Sequence, residues 1–200
     1  MTPNGSEVRL RILAATARCM TRWSVSKTTM ADVAVEAGIS RATLYRHFST
    51  RDDLLAGLVE HEFTVFFGDL AAFIDGSPDL EQLLVDGLIQ ANRALEGHEL
   101  YQRVMATEPH LVLPHLMVAS AGIRSLIIDY LRPWLLDRAG GRPPAEPADV
   151  EAVLDYLSRM VLSFIESPGG WDFGDRSAVT HLVRSRFIGA VDRVMSGGTH

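Results

Sequence analysis

Residues 28–48 read Thr28-Thr29-Met30-Ala31-Asp32-Val33-Ala34-Val35-Glu36-Ala37-Gly38-Ile39-Ser40-Arg41-Ala42-Thr43-Leu44-Tyr45-Arg46-His47-Phe48. Two short amphipathic segments meet at a glycine, and each has its own start signal. Thr29 with Asp32 makes the pattern of a capping box, in which the hydroxyl takes an orphan backbone N–H and the carboxylate takes another in return. Val33, Ala34 and Ala37 fall at helical spacing and form the inward face, and the two alanines let a second helix come close. Gly38 stands where the first helix must end, because glycine accepts the left-handed conformation of the turn. Ile39 plugs the space between the helices, and Ser40 is a good N-cap for the next one.

That second helix runs from Arg41 to His47, about 10 Å at 1.5 Å per residue. It suits a DNA major groove about 12 Å wide. Leu44 and Phe48 turn inward, which leaves Arg41, Ala42, Thr43, Tyr45, Arg46 and His47 outside. Arginine can reach guanine bidentately, alanine and the threonine methyl can meet a thymine methyl, and tyrosine, threonine and histidine can bond phosphates. Thr50 opens a second box with Asp53, and Arg51 lies at that helix's start, able to clamp a phosphate.

An ordinary helical hairpin shares the bare pattern, so charge is the discriminator. Residues 1–51 hold eight Lys and Arg against three Asp and Glu, whereas residues 52–200 hold 11 against 22. A basic head on an acidic body is the local footprint of a nucleic-acid partner in a chain whose net charge is −6.

The same residues resemble the N-terminal domain of the TetR family of bacterial transcriptional regulators. Ile12-Leu13-Ala14-Ala15 is similar to that family's opening I-L-x-A, and Thr28-Thr29-Met30-x-Asp32-Val33-Ala34 to its T-T-V-x-D-I-A. Ala37-Gly38-Ile39-Ser40, Thr43-Leu44-Tyr45-x-His47-Phe48, and Arg51 with Leu54-Leu55 continue the match over about residues 8 to 58. Met20 replaces the family's usual Phe, Ser24 its Gly, Val25 an aromatic and Arg51 a Lys. The resemblance implies an all-α protein: a three-helix helix-turn-helix head followed by a larger helical body that binds a ligand and dimerises. We place the head at residues 6–52 and the body at 53–196. It further implies repression relieved by a small molecule, with no catalysis, cofactor or metal. Carried over residue by residue, Thr29, Tyr45 and Arg51 become phosphate contacts; Arg41, Ala42, Thr43 and Arg46 face bases; Ser40 and His47 complete the DNA-binding set.

Composition agrees with a soluble globule. The chain has 200 residues and is 47% apolar, enough for a real core. Its longest apolar stretch, 111–123, is broken by Pro114 and His115 and falls far short of a membrane span. The first residues carry neither a basic nor an apolar export region, so a cytoplasmic location is expected. Cys19 is the one cysteine, which excludes a disulfide framework and reads as a small buried hydrophobe.

The body reads as successive helices. Leu55 to Leu70 trace one from head into body, Leu80 to Leu95 another, and His98 to Met105 a short third. Pro109 and Pro114 frame a connection to a long helix that Pro133 must kink or interrupt. Gly140-Gly141-Arg142-Pro143-Pro144 is a loop.

Residues 149–166 and 175–195 carry apolar stripes wider than one packed face. This predicts a homodimer through a four-helix seam, with Val153, Leu157, Val161, Phe164, Leu182, Phe187 and Val191 at the interface. Symmetric dimers also double the DNA sequence that one short helix reads. For an effector pocket the candidates are Phe66, Tyr101, Met105, Met117, Tyr130 and Trp134, aromatics and adaptable methionines suited to a hydrophobic molecule.

Enzyme-like fragments lack their partners. Asp172-Phe173-Gly174 has no glycine-rich loop or catalytic-loop companion, and His61-Glu62 meets Val65 where a zinc ligand would stand. The expected function is a DNA-binding regulator with duplex operator DNA, a small-molecule effector and a second copy of itself as partners. Two alternatives stand: a TetR-like activator or protein-responsive regulator, and a helical binding or enzymatic protein with an incidental helix-turn-helix.

Overall fold

The computed structural model describes residues 5–74, 76–138, 147–166 and 169–195, and among these it is all helix and turn, with no strand. In chain order the helices are α1 (Gly5–Trp23), α2 (Met30–Glu36), α3 (Arg41–His47), α4 (Arg51–Ile74), α5 (Leu80–Gly97), α6 (Glu99–Thr107), α7 (Pro109–Arg138), α8 (Pro147–Glu166), α9 (Arg176–Leu182) and α10 (Gly189–Met195). A π-helical segment, Val183–Ile188, links the last two. The expected loop at 140–144 lies outside the described residues.

Two compact units emerge, Met1–Phe66 with Leu95–Ser120, and Phe67–Ala94 with Ala121–His200. The sequence-based boundary at 52/53 falls at the start of α4, whereas the units part within the lengths of α4, α5 and α7. The first unit is thus larger than the expected head, because α6 packs directly on α1.

The core of the first unit joins Ile12, Leu13, Ala15, Cys19 and Met20 of α1 to Val33 and Ala34 of α2. Leu44, Phe48, Leu54, Leu55, Leu58 and Val104 complete it. Cys19 is buried among them, and that burial raises its thiol pKa. Thr16, also buried, returns its hydroxyl to the Ile12 carbonyl at 2.8 Å, so it enters the core without an unpaired donor.

The connection expected at 109–114 is absent. Glu108 alone separates α6 from α7, Pro109 takes the first helical position, and Pro114 and Pro133 lie inside α7. Proline is tolerated at the first position because that N–H has no intrahelical partner. At Pro133 the helix is not interrupted: Leu131 and Leu135, both buried, anchor the turn on either side of the missing hydrogen bond.

In the second unit the apolar stripes are spent within the chain. Val153, Leu157, Leu182, Phe187 and Val191, expected at a dimer seam, are all at most 4% exposed in the single chain. Val161 is half-buried, and so is Phe164, whose ring packs 5.9 Å from that of Phe187. The π-helical segment explains the surplus width: a wider turn adds a residue and re-phases the helix, which brings Val183, Phe187, Ile188 and Val191 inward together. Exposed ion pairs Arg176–Asp86 (2.8 Å) and Arg184–Glu81 (2.9 Å) tie this segment to α5. Asp172-Phe173-Gly174 is the turn before it, with the Gly174 N–H donating to Asp172 Oδ1 and Phe173 buried.

Candidate nucleic-acid interface

Each end of the α2–α3 hairpin is satisfied by the residue type that stands there. Thr29 caps α2 as a complete box: its Oγ1 accepts from the Asp32 N–H (3.2 Å), and Asp32 Oδ2 accepts from the Thr29 N–H (3.0 Å). Hydrogen bonds from the Thr29 hydroxyl and then from its N–H hold the Asp32 carboxyl below its usual range. At the other end Gly38 has φ 64°, and the Gly38 and Ile39 N–H groups reach back to the Val35 and Ala34 carbonyls, both at 3.0 Å. That is a Schellman closure, which only glycine enters without strain. Ser40 Oγ then accepts from the Thr43 N–H at 3.1 Å and starts α3.

α3 is anchored by Leu44 and Phe48, both buried, and shows Arg41, Ala42, Tyr45 and Arg46 to solvent, with Thr43 and His47 half-buried beside them. Tyr45 is 51% exposed. The remaining charges near the hairpin are sorted. Glu36 is held by Arg18 at 2.7 Å and approached by Arg22, and the bond from Arg18 keeps its carboxyl ionised to lower pH. Lys27, Arg41 and Arg46 form no ion pair among the described residues. Two arginines on one exposed helix face, neither in an ion pair among the described residues, can reach base edges and phosphates.

Two assigned contacts change character. Arg51 does not stand outside as a phosphate clamp: it is half-buried, its Nε donating to the Thr28 carbonyl (3.2 Å) and its Nη2 to the Val25 carbonyl (2.5 Å). The α1–α2 loop carries carbonyls that a guanidinium at the start of α4 can satisfy, so Arg51 staples the hairpin from behind. Thr29 is exposed, but its hydroxyl already donates to Asp32 Oδ2 at 2.6 Å, so a phosphate would have to displace that bond. The second box does form, with Thr50 and Asp53 exchanging bonds of 3.0 and 3.1 Å and Ser49 also donating to Asp53.

Two supports could not be read from spacing. Gly57 of α4 lies against the Phe48 ring: a Cβ there would sit 2.7 Å from Phe48 Cε1. The Arg9 guanidinium covers that ring, 4.5 Å from its centre. Glu108 is the other. Its carboxylate accepts from the Val25 N–H (2.8 Å) and the Ser26 N–H (3.3 Å), 83 and 82 residues away in sequence. Neither residue has a local signal, since each matters only through a partner distant along the chain.

The same unit contains a cavity of about 100 Å³ lined by Met20, Val25, Leu55, Leu58, Val59, Glu62, Phe63, Phe66, Leu95, His98, Leu100, Tyr101, Val104, Met105 and Val112. Phe66, Tyr101 and Met105 are therefore brought together. Tyr130 and Trp134 belong to the second unit and do not line this cavity; the Met117 side chain lies outside those described. Glu62 and His98 pair at 3.0 Å on the wall. His98 also caps α6 by accepting the Tyr101 N–H on Nδ1 (3.1 Å), so its proton sits on Nε2 and points to Glu62. That bond raises the His98 pKa and lowers that of Glu62.

Among the described residues no group of three or more His, Cys, Asp or Glu could hold a metal, and no helix is long and apolar enough to cross a membrane.

Residues 12–58 match the model of the bacterial regulatory proteins of the tetR family. The HTH-type transcriptional regulator Rv2250c of Mycobacterium tuberculosis is 30% identical over 98 residues, 49% of this chain, which spans about half of that relative's length. The HTH-type transcriptional regulator Rv1255c of the same organism is 28% identical over 174 residues, 86% of this chain and 82% of its own. Among solved structures, the TetR family repressor AlkX from Dietzia sp., implicated in biodegradation of n-alkanes, superposes with a TM-score of 0.59 at 22% identity, covering 96% of this chain and 99% of its own. With the capped hairpin and its cationic face, these similarities identify residues 12–58 as a helix-turn-helix domain of the bacterial regulatory proteins of the tetR family.

Proposed function

We propose that this regulator is a repressor that places α3 in the major groove of a duplex operator and leaves it when a small hydrophobic effector fills the cavity of its first unit. The observation that carries the reading is the outer face of α3. Arg41, Ala42, Tyr45 and Arg46 are exposed on a helix fixed from beneath by Leu44 and Phe48, and neither arginine has an ion-pair partner among the described residues. Arg41, Ala42, Thr43 and Arg46 read bases. Tyr45 and His47 touch phosphates, with Thr29 and the Ser40 terminus at the edge, while Arg51 acts by holding the hairpin in place.

One seven-residue helix reads few base pairs, so the functional species is a homodimer whose two heads meet successive grooves about 34–36 Å apart. Its seam adds outward residues of the second unit, such as Tyr156 and Leu126, 38% and 56% exposed, to the half-buried Val161 and Phe164, because the other five stripe residues first expected there are buried in the single chain.

Gel shifts on the DNA upstream of the gene test the reading. Arg41→Ala should cost about 1–3 kcal/mol and relax preference at one base pair, and a phosphate contact such as Tyr45→Phe should weaken all sequences alike. No affinity of the wild-type chain for any duplex at low salt would refute it.

A further inference from the structure

The cavity and the DNA-reading hairpin share a wall, and that wall is one residue of the α1–α2 loop. Val25 is fully buried, and its side chain lines the cavity. Its peptide is gripped from two directions: Glu108 accepts its N–H at 2.8 Å, and Arg51 donates to its carbonyl at 2.5 Å. The loop is under tension as well, since Ser24 holds φ at 89° and its carbonyl accepts the Thr28 hydroxyl at 2.7 Å. Thr29, the cap of α2, follows at once. Val104 and Met105 of α6 also line the cavity, and the Glu108 N–H closes α6 on the Val104 carbonyl at 2.8 Å. Any molecule that spreads Val25 from Val104 therefore pulls on the Glu108 bond and on the residue that starts the hairpin.

Size and chemistry narrow what can do this. At about 100 Å³ the space, which opens partly to the surface, is of the same order as an engineered 150 Å³ apolar cavity that takes benzene. Met20, Leu58, Phe63, Val104 and Met105 offer a wall of carbon and sulfur. Glu62 and His98, the acid–base pair of the wall, already satisfy each other, and Tyr101 is its third ionisable residue. A carboxylate ligand would lose its hydration on entry and face the like charge of Glu62, whereas a hydrocarbon incurs neither cost.

We propose that the cavity takes a compact, uncharged apolar molecule about the size of one six-membered ring, and that its occupancy reaches the DNA-reading hairpin through the Val25 peptide held by Glu108. This rests on the reading of the chain as an effector-released DNA-binding protein. Glu108 is a positioning residue: it touches neither DNA nor ligand, and acts on the loop that carries α2.

The test uses the full chain, benzene and benzoate as probes, and a duplex selected from a random pool. Benzene should bind by ligand-observed NMR and weaken duplex affinity about tenfold, with benzoate doing neither. Met105→Trp, which fills the space, should abolish benzene binding. Glu108→Gln should still bind benzene, but its duplex affinity should respond about twofold or less. Val25→Ala, which keeps the carboxylate and removes the moving side chain, should lose the response in the same way. A merely structural Glu108 would lower duplex affinity equally with and without benzene. Failure of the folded wild type to bind benzene, or equal binding of benzoate, overturns the ligand class. An undiminished response in Glu108→Gln and Val25→Ala overturns the route. A chain that binds benzene yet selects no duplex overturns the underlying regulator reading instead.

Discussion

The α2–α3 hairpin and the α8–α10 segment are both pairs of amphipathic helices, yet they use their surfaces in opposite ways. In the hairpin the apolar face is narrow, Val33, Ala34, Ala37, Leu44 and Phe48, and three of the four helix ends have a side-chain or glycine cap, α3 closing instead on the Phe48 backbone N–H. The polar face is left open. In the second pair the apolar face is wide and nearly all of it is consumed inside the chain, down to Val179, Leu182, Val183 and Phe187 at 0% exposure. The hairpin presents chemistry, and the later pair holds a core. A wide stripe can thus be taken up within one chain when a π-turn re-phases it, whereas a well-capped short helix leaves its cations exposed.

The largest expected effect falls on the second region. Phe187→Ala should destabilise by roughly 3–5 kcal/mol, as for an aromatic removed from a closed core. Denaturant unfolding at several protein concentrations checks it. The comparison breaks if the variant unfolds like wild type but its subunits dissociate at higher concentration, for Phe187 would then lie on a seam and not in a core.

Next is Gly57→Ala, which tests how closely α3 is held. The new methyl would meet Phe48 Cε1 at 2.7 Å and Arg9 Nη2 at 3.1 Å. Overpacking of this kind costs about 1–3 kcal/mol, and duplex affinity should fall with it because Phe48 closes α3. Gly68 of the same helix is the control: nothing lies within 4 Å of a Cβ there, so Gly68→Ala should stabilise by up to about 1 kcal/mol. Equal behaviour of the two in thermal unfolding would deny that Gly57 is there for the ring.

These regions also differ in how much of them could be read beforehand. Caps are local: Thr29 with Asp32, Gly38, and Ser40 lie within a few residues of the groups they satisfy. The bounds of α3 follow from such signals alone, as does the burial of Leu44 and Phe48. Packing partners are not local. That Val153 and Leu157 meet their own chain depends on α10 returning to α8. That Arg51 turns inward depends on two carbonyls more than 20 residues earlier. Three of the six pocket candidates line one cavity because α4 up to Phe66 belongs to the same unit as α6, whereas Tyr130 and Trp134 lie beyond the point where α7 passes into the other. Proline was misleading for a related reason. Its local cost is fixed, but whether a helix survives it depends on how firmly the flanking turns are anchored.

A smaller effect comes from Ser24, where this chain departs from the family's glycine. The structure places it at φ 89°, so the glycine preference is conformational and serine bears the strain. Ser24→Gly should raise stability by about 1 kcal/mol, seen as a higher unfolding midpoint. If the loop's tension also primes release, the variant should hold DNA more firmly in the presence of benzene. An unchanged midpoint would place the compensation in the bonds around Ser24 and weaken that idea.

The subtlest difference concerns protons. Glu108 is held below the ordinary carboxylate value of 4.5 by hydrogen bonds from the Ser26 side chain and from the Ser26 and Val25 backbone. A carboxyl whose pKa is lowered on folding adds stability above its unfolded value, and that stability is lost as pH falls through the folded one. Wild type and Glu108→Gln should therefore differ by a constant amount from neutrality down to about pH 5 and converge below pH 4.5. Asp32 and Asp53, also held low by hydrogen bonds at their helix starts, impose a similar slope on both proteins and cancel in the difference. Because Glu108 serves the loop in front of α2 and not α8–α10, the convergence should appear in hydrogen exchange of the hairpin amides and be absent from those around Phe187. If both regions lost protection together over this range, the Glu108 clamp would be supporting the whole fold and not tuning the hairpin.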